Sequence, residues 1–448
     1  MGEDDTASIS SALLYLAPSL STPARPVTTW DKSLITSATS LGALFGGLVA
    51  GVCADRWGRR VVIWIADLLF IVGALWQGLS ASVAAMVLGR LVVGLGVGVG
   101  SLIVPLYISE LAPAGRRGRL VVISVLCITG GQVLAYMVGI VLGERWRWVL
   151  GLGAVPAAVQ AVLMLPMPET PRWQLLRGRR ADARHTLAQL YGSADAAAIS
   201  SLLLEIQQGI STGPAVTLPQ SLAQLVRVPG HRRALIIACF LQFLQQACGF
   251  NALMYFSATI FAQIGFGNPT AVAMVVAGTN ALFTSFAFHL IDRVGRRRML
   301  LLSLAGMAAG LTLCSLGFVL LPTTTTAAGS TGVLWPAWTL VASIMLFVAA
   351  YALGLGAIPW LCQSEFFPIR VRGVGTGLAT ATNWTCNLIV AATFLGISET
   401  PGGGAAWAFA GYALVCVFGL AVCWRIYPET GGLAIEQVEG VLKDGWGV

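Results

Sequence analysis

Charge is what this sequence has least of. Only 10% of its 448 residues are Asp, Glu, Lys or Arg, while 56% are hydrophobic and the mean hydropathy is +0.80. Soluble domains carry about a quarter charged residues, so this surface cannot face water, and the chain is read as a polytopic membrane protein. Chemical motifs are scarce as well. The three His and nine Cys include no CxxC pair, and most of the cysteines fall inside apolar runs, as small packing residues rather than disulfides or metal ligands. With no nucleophile and base pair, no metal-ligand spacing and no phosphate loop, nothing supports an enzyme or a bound cofactor. No cleavable signal peptide is visible. The formal charge of +8 sits in Arg clusters between apolar segments, the look of membrane loops, which sets nucleic-acid binding aside.

Crossing a hydrocarbon core of about 30 Å takes about 20 apolar residues. On that basis spans fall near 33–53, 61–80, 83–109, 119–142, 147–166, 234–263, 270–291, 299–321, 335–362, 372–397 and 405–426. The opening MGEDDTASISSALLYL adds a twelfth, partial one, and reads as the second half of a first helix whose preceding half is absent. The chain as written is therefore expected to work poorly. Hydropathy drops over 167–233, where RGRRADARHTLAQLYG and AAAISSLLLEIQQG read as short amphipathic helices. Arg-rich loops alternate with Arg-poor ones, and the positive-inside rule puts both termini and this linker in the cytoplasm. The expected division is a first bundle over 1–166, the linker over 167–233, a second bundle over 234–427 and a tail over 428–448.

Three strings occur twice in the same order. DRWGRR at Asp55 returns as DRVGRR at Asp292, ELAPAGRRG at Glu110 as EFFPIRVRG at Glu365, and PET at Pro168 as PET at Pro428. Two homologous six-helix halves joined by a cytoplasmic linker follow, an arrangement in which substrate sits between the halves near the midplane. A carboxylate at a helix end followed by two guanidiniums can latch neighbouring helices in one state and release them in another. Asp55 with Arg59 and Arg60, Asp292 with Arg296 and Arg297, Glu110 with Arg116 or Arg117, and Glu365 with Arg370 or Arg372 are the candidates.

Amides are the conspicuous polar residues of the spans. A buried amide is costly unless paired, and an amide both donates and accepts, as recognition of an uncharged polyhydroxy compound requires. Gln132, Gln245, Gln246, Asn251, Asn280 and Asn383 are the candidates, with Trp360 as an aromatic face for the C–H side of a ring. On a straight helix Gln246 and Asn251 point about 140° apart. Either the helix breaks near Gly249, or only some of these residues face one cavity. Arg90 is the clearest ionisable residue inside a span of the first half and needs a partner or a function. Asp67 and His289, near or within spans, are read as structural.

The ordered set DRWGRR, PLYISELAP with RRG, PETPRW, QQACGFNALMY, DRVGRR, PWLCQSEFFPIRVRG and YPET covers nearly the whole chain and resembles the sugar porter family of the major facilitator superfamily. ISSALLYL, ITGGQVLAY, GTNALFTSFAF and GLATATNWTCNLIVAATF are most similar to the fungal myo-inositol transporters. The resemblance implies an all-α major facilitator fold and proton symport of a neutral polyol or sugar across the plasma membrane by a monomer embedded in the bilayer. It also implies that both glutamines and the asparagine of QQACGFN bind substrate from a broken helix. Binding roles likewise carry over to Gln132, Asn280, Trp360 and Asn383, and an aromatic gate to Tyr255. Asp5, in Asp5-Thr6 ahead of Ile9-Ser10, matches the family's proton-carrying Asp, and Arg90 its partner. One departure is Val125, where many sugar porters carry another Gln, which argues against glucose-like recognition. A facilitative hexose or polyol uniporter would need the same cavity without a titrating Asp5. A non-transporting nutrient sensor would usually carry a longer tail than the one after YPET.

Overall fold

The computed structural model describes residues 2–21, 26–112, 114–191, 196–211, 218–320, 335–368, 371–430 and 435–446. Among these residues every element is helical, and eleven helical segments are long and apolar enough to cross a membrane. In the first half α1 covers Gly2–Leu20, α2 Thr29–Trp57, α3 Arg59–Leu79, α4 Val83–Leu111 and α5 Ala114–Leu142, followed by the pair α6 (Trp146–Gly151) and α7 (Ala154–Leu163). Four short helices form the linker: α8 (Pro171–Leu176), α9 (Arg180–Tyr191), α10 (Ala196–Ser211) and α11 (Leu218–Arg227). The second half repeats the pattern with α12 (Pro229–Ala247), α13 (Phe250–Ile264), α14 (Pro269–Val294), α15 (Arg296–Leu320), α16 (Trp335–Leu353), α17 (Ile358–Glu365), α18 (Arg372–Ser398) and α19 (Gly404–Ile426). A last helix, α20 (Ile435–Asp444), returns to α12, where Arg233 donates to the carbonyls of Leu442 and Lys443.

Without a hydrophobic drive between helices in lipid, close packing needs small residues. The α2–α4 pair is built on that rule from both sides. A Cβ added at Gly42 or Gly46 would run into the backbone of Leu91 or Leu95, and one added at Gly94 or Gly98 into the carbonyls of Thr39 or Ala43. Four glycines at spacing four thus bring two backbones into contact and hold α4, with Arg90 on it, against α2.

Two breaks in the second half position the site. Between α12 and α13 Gly249 sits at φ +82°, a left-handed conformation that favours glycine, with the Tyr412 ring lying where a side chain would go. Between α16 and α17 the chain turns at Gly354 to Ala357, and Ser303 of α15 ties the turn by donating to Ala350 O at 2.7 Å and accepting from Leu355 N at 3.1 Å. Each break frees backbone carbonyls for side chains to use.

The halves meet along α1 with α13, α2 with α18 and α5 with α14. On the side away from the linker the meeting is hydrogen-bonded. Ser10 shares a bond with Ser257 at 3.1 Å, and Tyr136 reaches Ser257 at 2.8 Å and Met254 O at 3.0 Å, all of these side chains being buried.

Candidate functional site

The two broken helices and α18 carry a connected lattice of amides. Gln246 donates to Asn383 Oδ1 at 3.1 Å and accepts from Asn251 at 2.7 Å and Asn387 at 2.9 Å. Asn383 in turn donates to Gln245 at 2.9 Å and to Gln242 at 2.6 Å. The break after Ala247 turns Asn251 back over Gln246, which removes the separation of about 140° that a straight helix would impose. Asn387 Oδ1 accepts from Tyr255 at 3.4 Å and from Ser40 of α2, so the lattice crosses from the second half to the first. A second crossing lies between α14 and α5, where Asn280 donates to Gln132 at 3.4 Å. Trp360 is half-buried on α17, beside α12 and α18, and the buried indole N–H of the half-buried Trp384 has no hydrogen-bond partner among the described residues. The arrangement is uncharged, donor-rich and acceptor-rich, and placed between the halves.

Gln242, Asn387, Ser40 and Gln363 join this lattice without having stood out in the sequence. The signal was there for two of them: Gln242 lies one helical turn before Gln246, and Asn387 one turn after Asn383, so each shares a face with a residue singled out for its chemistry.

The first half carries a buried charge pair. Arg90 has no exposed surface, its Nη1 meets Asp5 Oδ1 at 2.5 Å, and its Nε donates to Ile35 O at 3.2 Å. Among the described residues its Nη2 has no hydrogen-bond partner. This guanidinium therefore depends on one carboxylate for compensation. Asp67, in mid-α3, is 1% exposed and neither of its oxygens has a hydrogen-bond partner among the described residues, while His289 is exposed on α14.

At the linker end the repeated motifs form two matching clusters. Arg59 makes a two-pronged pair with Glu110, at 3.1 and 3.3 Å, and a second pair with Asp55 at 3.2 Å. Arg296 pairs with Glu365 at 3.1 Å. Spacing within the motifs suggested Arg116 or Arg117 for Glu110, and Arg370 or Arg372 for Glu365. Among the described residues the ion pairs reach the neighbouring hairpin, where helix packing brings the end of α4 beside the start of α3. The side chains of Asp292, Arg116 and Arg117, and all of Arg370, lie outside the described residues. Arg372 donates Nε–H to Phe367 O at 3.1 Å.

The repeated PET supplies a contact that the sequence reading missed. Glu169 accepts the backbone N–H groups of Arg59 and Arg60, at 3.0 and 3.1 Å, and Glu429 those of Arg296 and Arg297, at 2.9 and 3.1 Å. Each carboxylate satisfies two free donors at a helix N-terminus and its positive dipole end. Arg60 and Arg297 close the clusters on the carbonyls of Leu165 and Trp424. Tyr427, just past α19, is fully enclosed, and burial pushes its phenol well above the usual tyrosine range. It shares a hydrogen bond with the Cys362 sulfur at 2.8 Å.

The chain is similar to known proteins along almost its whole length. Over 99% of this chain and 79% of the relative, the sequence is 45% identical to myo-inositol transporter 1 of Cryptococcus neoformans var. grubii. It is 42% identical, over the same shares, to myo-inositol transporter 2 of Schizosaccharomyces pombe. The structure of a major facilitator proton:xylose symporter bound to 6-bromo-6-deoxy-D-glucose matches with a TM-score of 0.78 at 25% identity, over 98% of this chain and 96% of that one. The inward-open form of the Escherichia coli xylose transporter XylE matches equally, with a TM-score of 0.78 at 25% identity over 98% and 96% of the two chains. The model of the family described as sugar (and other) transporter matches residues 5–442, and the chain belongs to that family.

Proposed function

We propose that this chain is a proton-coupled symporter of a neutral polyol, myo-inositol before any hexose, working by alternating access between two six-helix halves. The observation that carries this reading is an enclosed Arg90–Asp5 pair in the first half combined with an uncharged amide lattice that reaches that half through Ser40. Gln132, Gln245, Gln246, Asn251, Asn280, Asn383 and Trp360 bind the hydroxylated ring, and Tyr255 closes over it. Asp5 carries the proton. Its ionised form holds Arg90, and protonation releases the guanidinium and lets the halves rock. A proton moving down 100 mV supplies about 2.3 kcal/mol, enough for about fifty-fold accumulation of an uncharged solute.

The linker-end clusters of Asp55, Arg59, Arg60, Glu110, Arg117, Asp292, Arg296, Arg297, Glu365 and Arg372 brace each half and re-form during rocking. The bundles occupy 1–166 and 234–427 of a monomer in the plasma membrane, with both termini and the linker in the cytoplasm. With that orientation the Ser10–Ser257–Tyr136 bonds lie on the outer side, which supports a state closed to the exterior. The test is uptake of labelled myo-inositol by the full chain at two pH values, with and without uncoupler, and with glucose as competitor. Uptake indifferent to pH and uncoupler would remove the symport reading, and carriage of glucose without inositol would remove the substrate.

A further inference from the structure

The amide lattice has a direction, and its sense can be worked out from groups that allow no choice. Backbone carbonyls only accept. Leu355 and Gly356, in the break between α16 and α17, accept both N–H bonds of the Gln245 amide, at 3.0 and 2.9 Å. Gln245 Oε1 must then face the opposite way, where it accepts from Asn383. Asn383 spends its second N–H on Gln242, so its Oδ1 is turned to Gln246 and accepts there. Gln246 Oε1 is left to accept from Asn251 and Asn387. Reversing any one amide would set donor against donor at its neighbours, and each such clash leaves buried groups unsatisfied. The orientation of Asn251 and Asn387 therefore depends on backbone carbonyls at the far end of the lattice.

One branch of this relay ends on a side chain instead of a carbonyl. Gln363 of α17, 9% exposed, accepts the Nε2–H of Gln242 at 3.3 Å. Gln242 has no exposed surface, and among the described residues its only other side-chain bond is the one it accepts from Asn383. Gln363 thus takes up the Gln242 N–H, while the Gln242 carbonyl faces Asn383, the amide that Gln245 orients. We propose that Gln363 is a positioning residue for substrate recognition: without touching substrate, it gives the buried Gln242 N–H an acceptor and so keeps Gln242 in place as the acceptor of the second Asn383 N–H, bracing the amide that Gln245 orients. This inference rests on the transport reading above and deepens it. Epimers of a cyclitol differ only in where hydroxyls donate and accept, so an amide free to reverse loses discrimination before it loses capacity.

The experiment compares the full chain with Gln363→Met and Gln363→Glu in proteoliposomes, measuring myo-inositol uptake and its inhibition by scyllo-inositol, which differs by one hydroxyl. Gln363→Met keeps the volume but not the acceptor; it is expected to raise the half-saturating myo-inositol concentration about tenfold, to bring the two epimers within about threefold, and to leave the maximal rate in place. Gln363→Glu, which still accepts from Gln242, is expected to restore the epimer ratio. Gln363→Asn, an amide too short to reach Gln242, stands in if the Met variant does not fold, with the same loss expected. An unchanged half-saturation and ratio in a folded Met or Asn variant would overturn the role of Gln363, as would a Glu variant as impaired as Met. Absence of saturable inositol uptake by the unaltered chain would instead remove the transport reading beneath it.

Discussion

Arg90 and Asp5 meet at 2.5 Å, the guanidinium with no exposed surface and the carboxylate side chain 11% exposed. Neutralising Asp5 leaves a buried cation with one carbonyl, Ile35 O, as its remaining resolved partner. Asp5→Asn is expected to abolish concentrative uptake, removing the fifty-fold accumulation that about 100 mV can support. Exchange of labelled for unlabelled solute, which needs no net proton movement, should survive. Uphill accumulation by the Asn variant in proteoliposomes with an imposed gradient would show that another group carries the proton.

The two linker-end clusters match in sequence but not in enclosure. The Arg59 and Glu110 side chains are 5% and 6% exposed, whereas those of Arg296 and Glu365 are 17% and 23% exposed. Breaking an enclosed ion pair leaves an uncompensated charge, at a cost of about 3 to 5 kcal/mol, while a partly hydrated one costs less. Glu110→Ala is therefore expected to lower the unfolding temperature more than Glu365→Ala does. Thermal unfolding in detergent decides this, and equal or reversed losses would show that enclosure does not set the strength of the two pairs.

Eleven spans and a two-fold repeat were readable in the sequence because membrane thickness sets helix length and duplicated loops preserve their motifs. The amide positions stood out for a similar reason, since polar groups are conspicuous in apolar runs. What stayed hidden was relational. Whether Gln246 and Asn251 share a cavity depended on Gly249, whose left-handed conformation the sequence permits but does not require. Arg59, a partner of Glu110 among the described residues, lies 51 positions away on another hairpin, out of reach of spacing arguments. The break after α16 supplies the carbonyls that orient Gln245. Its glycines had been read as part of one apolar span, although Gly354, Gly356 and Pro359 so close together are a breaker signal.

Gly94 and Gly130 make a clean pair of substitutions for testing the α2–α4 contact. A methyl at Gly94 would collide with the Thr39 carbonyl on a facing backbone, which cannot yield as a side chain would, whereas a methyl at Gly130 meets nothing within 4 Å. Gly94→Ala is expected to cut the yield of folded, monodisperse protein severalfold, and Gly130→Ala to leave it unchanged or slightly raised by better helix propensity. Size-exclusion profiles of the two variants check this. A well-folded Gly94→Ala protein would mean that α2 and α4 are not held backbone to backbone.

Asp67 provides the test of whether every buried carboxylate in the spans serves transport. It lies in the middle of α3 at 1% exposure, with neither oxygen hydrogen-bonded among the described residues. The charged or near-neighbouring titratable groups on the elements packed against it lie towards the helix ends or face elsewhere, as Arg59 does towards Glu110 and Arg90 towards Asp5. A carboxyl group in such a place adds nothing to packing that an amide of the same shape does not, and burying it without a partner is unfavourable. Asp67→Asn is accordingly expected to transport at the rate of the unaltered chain with the same pH dependence, and to unfold at an equal or higher temperature. A shifted pH profile with normal folding would instead place Asp67 in the proton path alongside Asp5, and the two outcomes are separated by measuring uptake between about pH 5 and pH 8 beside the melting curve.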